Sequence, residues 1–294
     1  MTDFVFIDSG VGGRVFEENS RSRLCRTDFV FIDSGVGGIP YMTTLLQRAP
    51  EASCVYVADA ANFPYGEKSH EKVVECVCAL VEKICTRFAP RVIVVACNTM
   101  SVNALDVLRS RFPQVSFVGT VPAVKLAASV SKKRRIGLLA THATCENPYN
   151  IELKNKFASD CLLINRADPD LISFIEHNAF TASREQCLEA VKPAVEFFRS
   201  QDVDVIILGC THFLNVTDIF EEACGNDIKV VDSVDGVVRH SLEVRGLQEE
   251  RGAGISKKSS TAQLYTTGFT DDSEKAQYNT LCQKFGIQFM GLYR

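Results

Sequence analysis

The strongest constraint on this chain is a pair of apolar runs that end alike. Arg91-Val92-Ile93-Val94-Val95-Ala96-Cys97-Asn98-Thr99 is matched by Asp204-Val205-Ile206-Ile207-Leu208-Gly209-Cys210-Thr211-His212. A strand facing water on one side would alternate apolar and polar residues. An unbroken run of β-branched and aliphatic residues reads instead as a strand of a parallel sheet buried on both faces. Each run stops at a small residue and presents a cysteine followed by hydrogen-bonding side chains. Ligands of open α/β sheets gather at the carboxyl ends of the strands, where both thiols fall. Two thiols delivered by two similar halves point to chemistry with one sulfur on each side of a substrate.

Composition narrows the class. A length of 294 residues suggests two domains of ordinary size. With 46% hydrophobic and 23% charged residues the chain reads as a globular protein with a sizeable core. A net charge of −4 leaves no electrostatic footprint for nucleic acid. No apolar stretch reaches membrane-spanning length. Asp3 and Asp8 flank a short apolar run without a basic lead, which makes a poor signal peptide. The twelve cysteines contain no Cys-x-x-Cys pair, and Cys76 and Cys78 diverge on a helix. A zinc site or disulfide framework is therefore disfavoured, and most thiols read as small buried hydrophobes in a reducing cytosol.

The N-terminus repeats itself. Thr2 to Gly13 and Thr27 to Gly38 both read TDFVFIDSGVGG. Only one copy can serve as the first strand and turn of a sheet. The second leads into a helix-like stretch to Arg48 and a strand at Cys54 to Ala58, whereas the first leads into a polar, poorly patterned segment. Residues 1–26 are accordingly expected to be an extension outside the core, with Asp33 and Gly35 to Gly38 the working copy. Beyond them strand and helix alternate. Glu71 to Phe88 carries an amphipathic stripe, with Ser69 as its cap and Pro90 beyond its end. Val115 to Gly119, Arg135 to Ala140 and Ile228 to Val231 read as further strands. Ser183-x-x-Gln186 is a capping-box pattern opening a helix toward Arg199, with Pro193 as a kink. Gly246 to Thr261 reads as a polar loop. Such alternation implies parallel sheets joined by right-handed crossovers.

Several loops carry chemistry-bearing residues. Asp33-Ser34-Gly35-Val36-Gly37-Gly38 closes a strand of Phe29 to Ile32, and its glycines allow a sharp turn with amides close to an anion. As a dinucleotide fingerprint it is weak, because the spacing is incomplete and the strand ends in an aspartate; a plain glycine turn with an Asp cap stands beside it. Asp59-Ala60-Ala61-Asn62-Phe63-Pro64-Tyr65-Gly66 follows the second strand and offers backbone donors and a phenol, or simply a common turn. His212 is placed to tune Cys210, or to serve as a capping or core histidine.

Together these motifs resemble the glutamate racemases, within the aspartate/glutamate racemase superfamily, over residues 27–294. DSGVGG after the first strand, PYG after the second, ACNT after the third and GCTH in the other half carry the likeness. Gly119-Thr120-Val121-Pro122-Ala123 and Gly137 to Thr141 fit the family's linking segments, and Ala167 to Glu176 a stretch that ends in an acidic residue. Two departures are Asp168, where the family often has cysteine, expected to be harmless, and the duplicated N-terminus. The resemblance implies two similar parallel-sheet α/β domains, residues 27–120 plus 233–294 against 121–232, with the active site in the cleft between them. It implies a two-base racemisation of glutamate without pyridoxal phosphate, other cofactor or metal. Cys97 would take the proton of the D-enantiomer and Cys210 that of the L-enantiomer, with Asp33, His212 and Glu176 in support. Asp33, Ser34, Pro64, Tyr65, Gly66, Cys97, Asn98, Thr99, Cys210, Thr211 and His212 would contact substrate. It further implies a cytoplasmic homodimer supplying D-glutamate for peptidoglycan.

Other readings predict different behaviour. An aspartate-specific or other amino-acid racemase of the superfamily is disfavoured by DSGVGG with PYG. A non-catalytic amino-acid-binding regulator on the same scaffold would not need two thiols. A dinucleotide enzyme would be stabilised by NAD. A Cys210–His212 hydrolase is weak, because residues two apart on an extended exit rarely form a nucleophile–base pair.

Overall fold

The computed structural model of the chain describes residues 26–247, 262–269 and 272–293. Most of the duplicated N-terminal segment (1–25) and of the polar loop (248–261) lies outside the described residues. The first part of the chain runs β1 (Phe29–Asp33), α1 (Ile39–Arg48), β2 (Cys54–Ala58), α2 (His70–Phe88), β3 (Val92–Val95), α3 (Asn98–Arg111) and β4 (Ser116–Gly119). The middle runs α4 (Val124–Val130), β5 (Arg135–Ala140), α5 (His142–Glu146), α6 (Pro148–Phe157), β6 (Leu162–Ala167), α7 (Pro169–His177), α8 (Arg184–Ser200), β7 (Val205–Leu208), α9 (Thr217–Cys224) and β8 (Lys229–Val231). The last part holds α10 (Val234–Arg245), β9 (Gln263–Thr266), α11 (Asp272–Phe285) and β10 (Gln288–Leu292).

The strands form two sheets, each the centre of an α/β domain. The first has the order β10-β9-β2-β1-β3-β4 and the second β6-β5-β7-β8. Every pairing is parallel, with Phe31 opposite Tyr56 on one side and Val94 on the other. The unbroken apolar runs have the cause expected of them. Phe29, Phe31, Val92 and Val94 belong to one buried cluster, while Val30, Ile32, Ile93 and Val95 belong to another on the opposite face. In the second sheet Ile206 and Leu208 face one cluster, and Val205 and Ile207 the other. The central strands β1, β3 and β7 are covered on both faces, which is why their runs stay apolar.

The helix boundaries follow their caps. The Ser69 hydroxyl accepts from the Lys72 amide at the start of α2. Ser183 and Gln186 form a reciprocal capping box at the start of α8, and Pro193 lies inside that helix. Asp168, the residue at which the family often has cysteine, caps α7 through the Leu171 amide at 3.2 Å and pairs with Arg166 at 3.0 Å. Among the described residues no helix is long and apolar enough to cross a membrane, and each described cysteine is a free thiol.

Chain order within the sheets sets the site. In the first sheet β1 is flanked by β2 and β3, so successive crossovers leave in opposite directions from its carboxyl end. In the second, β5 and β7 meet at the corresponding switch. A crevice opens at each such point.

Candidate active site

The two switch points face one cavity of about 240 Å³. The first domain contributes Ser34, Phe63 to Glu67 and Cys97 to Thr99; the second contributes Thr141, His142, Pro169, Ile172, Ser173 and Cys210 to His212. Both thiols therefore line the same space, each at the end of its strand and each 6% exposed. Of the residues expected from sequence, Ser34, Pro64, Tyr65, Gly66, Asn98, Thr99, Thr211 and His212 stand in the wall with them. Among the described residues no lysine or arginine does. Anions in this space would meet helix N-termini and hydroxyls instead, chiefly the free amides that open α3 at Asn98. The Asn98 Oδ1 is buried without a hydrogen-bond partner, an acceptor ready for a ligand's N–H.

Asp33 and Glu176 stand behind that wall. The Asp33 carboxylate is fully enclosed. It accepts from the Ser34 amide at 2.7 Å, the Thr211 hydroxyl at 3.0 Å and the Tyr56 phenol at 3.3 Å. Burial pushes its pKa up to about 6, against the opposing charge of His212 and these hydrogen bonds. On the Cys97 thiol, burial acts first and the neighbouring Asp33 charge second, holding the pKa well above the ordinary value; the Met100 amide opposes them. The charge of Cys210 also works against ionising Cys97.

The second thiol has a different neighbourhood. Cys210 Sγ lies 3.6 Å from His212 Nδ1, and His212 Nε2 lies 2.7 Å from Glu176 Oε2. Residues two apart reach each other here because Thr211–Val216 is a 3₁₀ turn rather than the extended exit expected from sequence. Burial opposes charge on the imidazole. Its hydrogen bonds to Cys210 and Glu176, with their negative charges, outweigh burial and hold its pKa well above the ordinary value. Cys210 thus faces a ring that can take up or return its proton.

The glycine turn has a purpose other than sharp bending. Gly35, Gly37 and Gly38 all avoid the left-handed region. A Cβ on Gly35 would sit 2.4 Å from the Glu176 carboxylate, and one on Gly37 would sit 2.6 Å from Thr211 Oγ1 and 2.7 Å from the His212 amide. The glycines let the first domain's turn close against the second domain's loop that carries Cys210 to His212. The anion that the turn does hold is the chain's own: the Val36 amide donates to Glu176 at 3.0 Å.

Tyr65 lines the cavity with Pro64 and Gly66. Its phenol donates to Asp59 at 2.5 Å, away from the cavity, while Thr267 at the end of β9 donates to the same carboxylate at 2.7 Å. The Tyr65 ring thus lines the cavity while its hydroxyl anchors the loop to Asp59. Sequence reasoning did not single out Tyr56, Phe63 or Thr141, among others. Tyr56 donates to Gly35 O at 2.9 Å and accepts from the Gly38 amide at 3.0 Å, fixing the turn from below. Phe63 packs its ring against His212 at 5.6 Å and His177 at 5.9 Å. The Thr141 hydroxyl meets that of Thr99 at 3.1 Å across the domain boundary. Thr141 was the most legible of them, since it follows β5 as Cys97 and Cys210 follow their strands.

Fold and site together define a two-domain parallel α/β enzyme that presents one thiol from each domain to a shared cavity. The sequence profile of the Asp/Glu/Hydantoin racemase family matches residues 40–240, and the chain belongs to that family. It is 41% identical to glutamate racemase of Treponema pallidum (strain Nichols) over 98% of this chain and 95% of that one. It is 32% identical to that of Bartonella tribocorum over 82% and 87%. Among solved structures, Escherichia coli glutamate racemase in complex with L-glutamate and the activator UDP-MurNAc-Ala superposes with a TM-score of 0.78. That likeness carries 27% identity and spans 91% of this chain and 98% of that one.

Proposed function

We propose that this chain interconverts L- and D-glutamate without a cofactor, by a two-base mechanism in which Cys97 serves the D-enantiomer and Cys210 the L-enantiomer. The observation that carries the reading is the pair of thiols from two domains on one small cavity. Inversion requires a proton to leave one face of the α-carbon and another to arrive at the opposite face. A single base tends to return the proton to the face it came from; two sulfurs flanking the carbon do not. The glutamate relatives in the family supply the substrate class.

The α-hydrogen is a very weak acid, so the carbanion-like state needs preorganised donors in a site with little water, each worth roughly 3–4 kcal/mol. The amides opening α3, with the side chains of Ser34, Asn98, Thr99 and Thr211, supply them, and the unpartnered Asn98 Oδ1 accepts from the substrate ammonium. Asp33 and Glu176 act one layer out. Asp33 holds Thr211 and stands beside Cys97, and Glu176 fixes His212. The working unit is residues 27–120 plus 233–294 against 121–232, in a cytoplasmic homodimer that supplies D-glutamate for peptidoglycan; light scattering of the purified protein checks the dimer. Dialysed protein given L-glutamate or L-aspartate, followed by circular dichroism, tests the activity. Glutamate should lose its optical signal and aspartate keep it. Loss with aspartate alone would reassign the substrate, and loss with neither would leave only a binding protein.

A further inference from the structure

The Cys210 side of the substrate cavity continues through two side chains into a second cavity. His212 lines the first cavity but not the second; Glu176 lines the second but not the first. The two residues meet at 2.7 Å, so they form the partition between the spaces. The second cavity holds about 10 Å³, room for one water, and is walled by Val36, Phe180 and the α11 residues Glu274, Gln277, Tyr278 and Leu281. Glu176 is fixed on that partition by the Val36 amide and by the absent side chain of Gly35. The Cys97 side is closed. Asp33 lines neither cavity and is enclosed by Ser34, Tyr56 and Thr211.

We propose that His212 and Glu176 form a proton outlet that resets Cys210 between turnovers, discharging into the second cavity. The inference rests on the two-thiol racemase reading. One inversion of L-glutamate leaves Cys210 as the thiol and Cys97 as the thiolate, the form that accepts only D-glutamate. Continued turnover in one direction requires that form to be reset. Once Cys210 is the thiol, its negative charge no longer holds the ring protonated; Cys210 Sγ–H then gives its proton to Nδ1, the Nε2 proton passes to Glu176, and Glu176 releases it to water in the second cavity. A proton from bulk water reaches Cys97 through the vacated substrate cavity. One proton leaves, one enters, and no bond to carbon changes. The hydrogen-bonding and charge that favour protonation of His212 suit a ring that must carry an extra proton in passing.

Two variants alter the outlet by different means. Phe180→Trp fills the second cavity, and Gln277→Met replaces a polar wall group with an apolar one of similar size. Two fluxes are measured: net initial velocity from saturating L-glutamate, and one-way transfer of carbon label between the enantiomers at chemical equilibrium. Exchange at equilibrium needs no reset, because each enzyme form takes up the enantiomer that matches it. Net velocity should fall roughly three-fold or more in both variants while equilibrium exchange holds its original rate. Unchanged net velocity, or both fluxes falling together, would overturn the outlet. Absence of either flux in the unaltered protein would instead overturn the racemase reading beneath it.

Discussion

At the scale of single residues, charge burial is the dominant theme. The Asp33 carboxylate is fully enclosed, and burial lifts its pKa from 3.8 to about 6. In the folded chain it keeps its proton to about pH 6; in the unfolded chain it loses it near 3.8. Between these values the folded state binds more protons, so its contribution to stability is present below pH 3.8 and is lost as pH rises through 6, a change of about 3 kcal/mol. Asp33→Asn should remove that decline from urea-unfolding free energies measured at pH 4, 5, 6 and 7. A variant that keeps the full slope would contradict the burial account. Asp33 was legible in the sequence because it ends a strand beside a glycine turn. Tyr56 was not, because an apolar strand hides the one residue whose hydroxyl reaches under that turn.

At the scale of elements, the site depends on how closely the turn after β1 approaches the 3₁₀ turn after β7. Gly37 marks the closest point, with backbone of the opposing loop inside the space a methyl would need. Gly37→Ala should therefore cost about 1–3 kcal/mol of stability from overpacking. It should lower kcat/KM more than ten-fold, since Thr211 and His212 must move. Gly236 in α10 has open space around its missing Cβ, so Gly236→Ala should leave activity intact and stabilise the helix by roughly 0.5–1 kcal/mol. Equal effects at the two positions would refute the close-approach argument. The glycines were visible in the sequence, but their reason was not. Residues 178 positions apart share no local pattern, so the contact of the Thr211 hydroxyl with Asp33 could emerge only from the packed domains.

At the scale of the whole molecule, two parallel sheets each set a strand-end switch against a common cavity. The sheets were legible because burial on both faces leaves an unbroken apolar run, and strand ends locate ligands in such folds. The anchors Phe63, Asp59 and Thr267 were not, because they depend on which loops from distant parts of the chain meet. Deleting residues 1–26 should leave turnover intact, measured by conversion of L-glutamate; complete loss of folding would sink the view of that segment as an extension. The most direct test of the central claim is racemisation of L-glutamate in deuterated water. The D-glutamate formed should carry deuterium at Cα from the first turnover, delivered by the opposite thiol. Cys97→Ala and Cys210→Ala should each slow its formation by roughly 10²–10⁴-fold. D-glutamate that retained the original hydrogen, or formed at the original rate without either cysteine, would contradict the account.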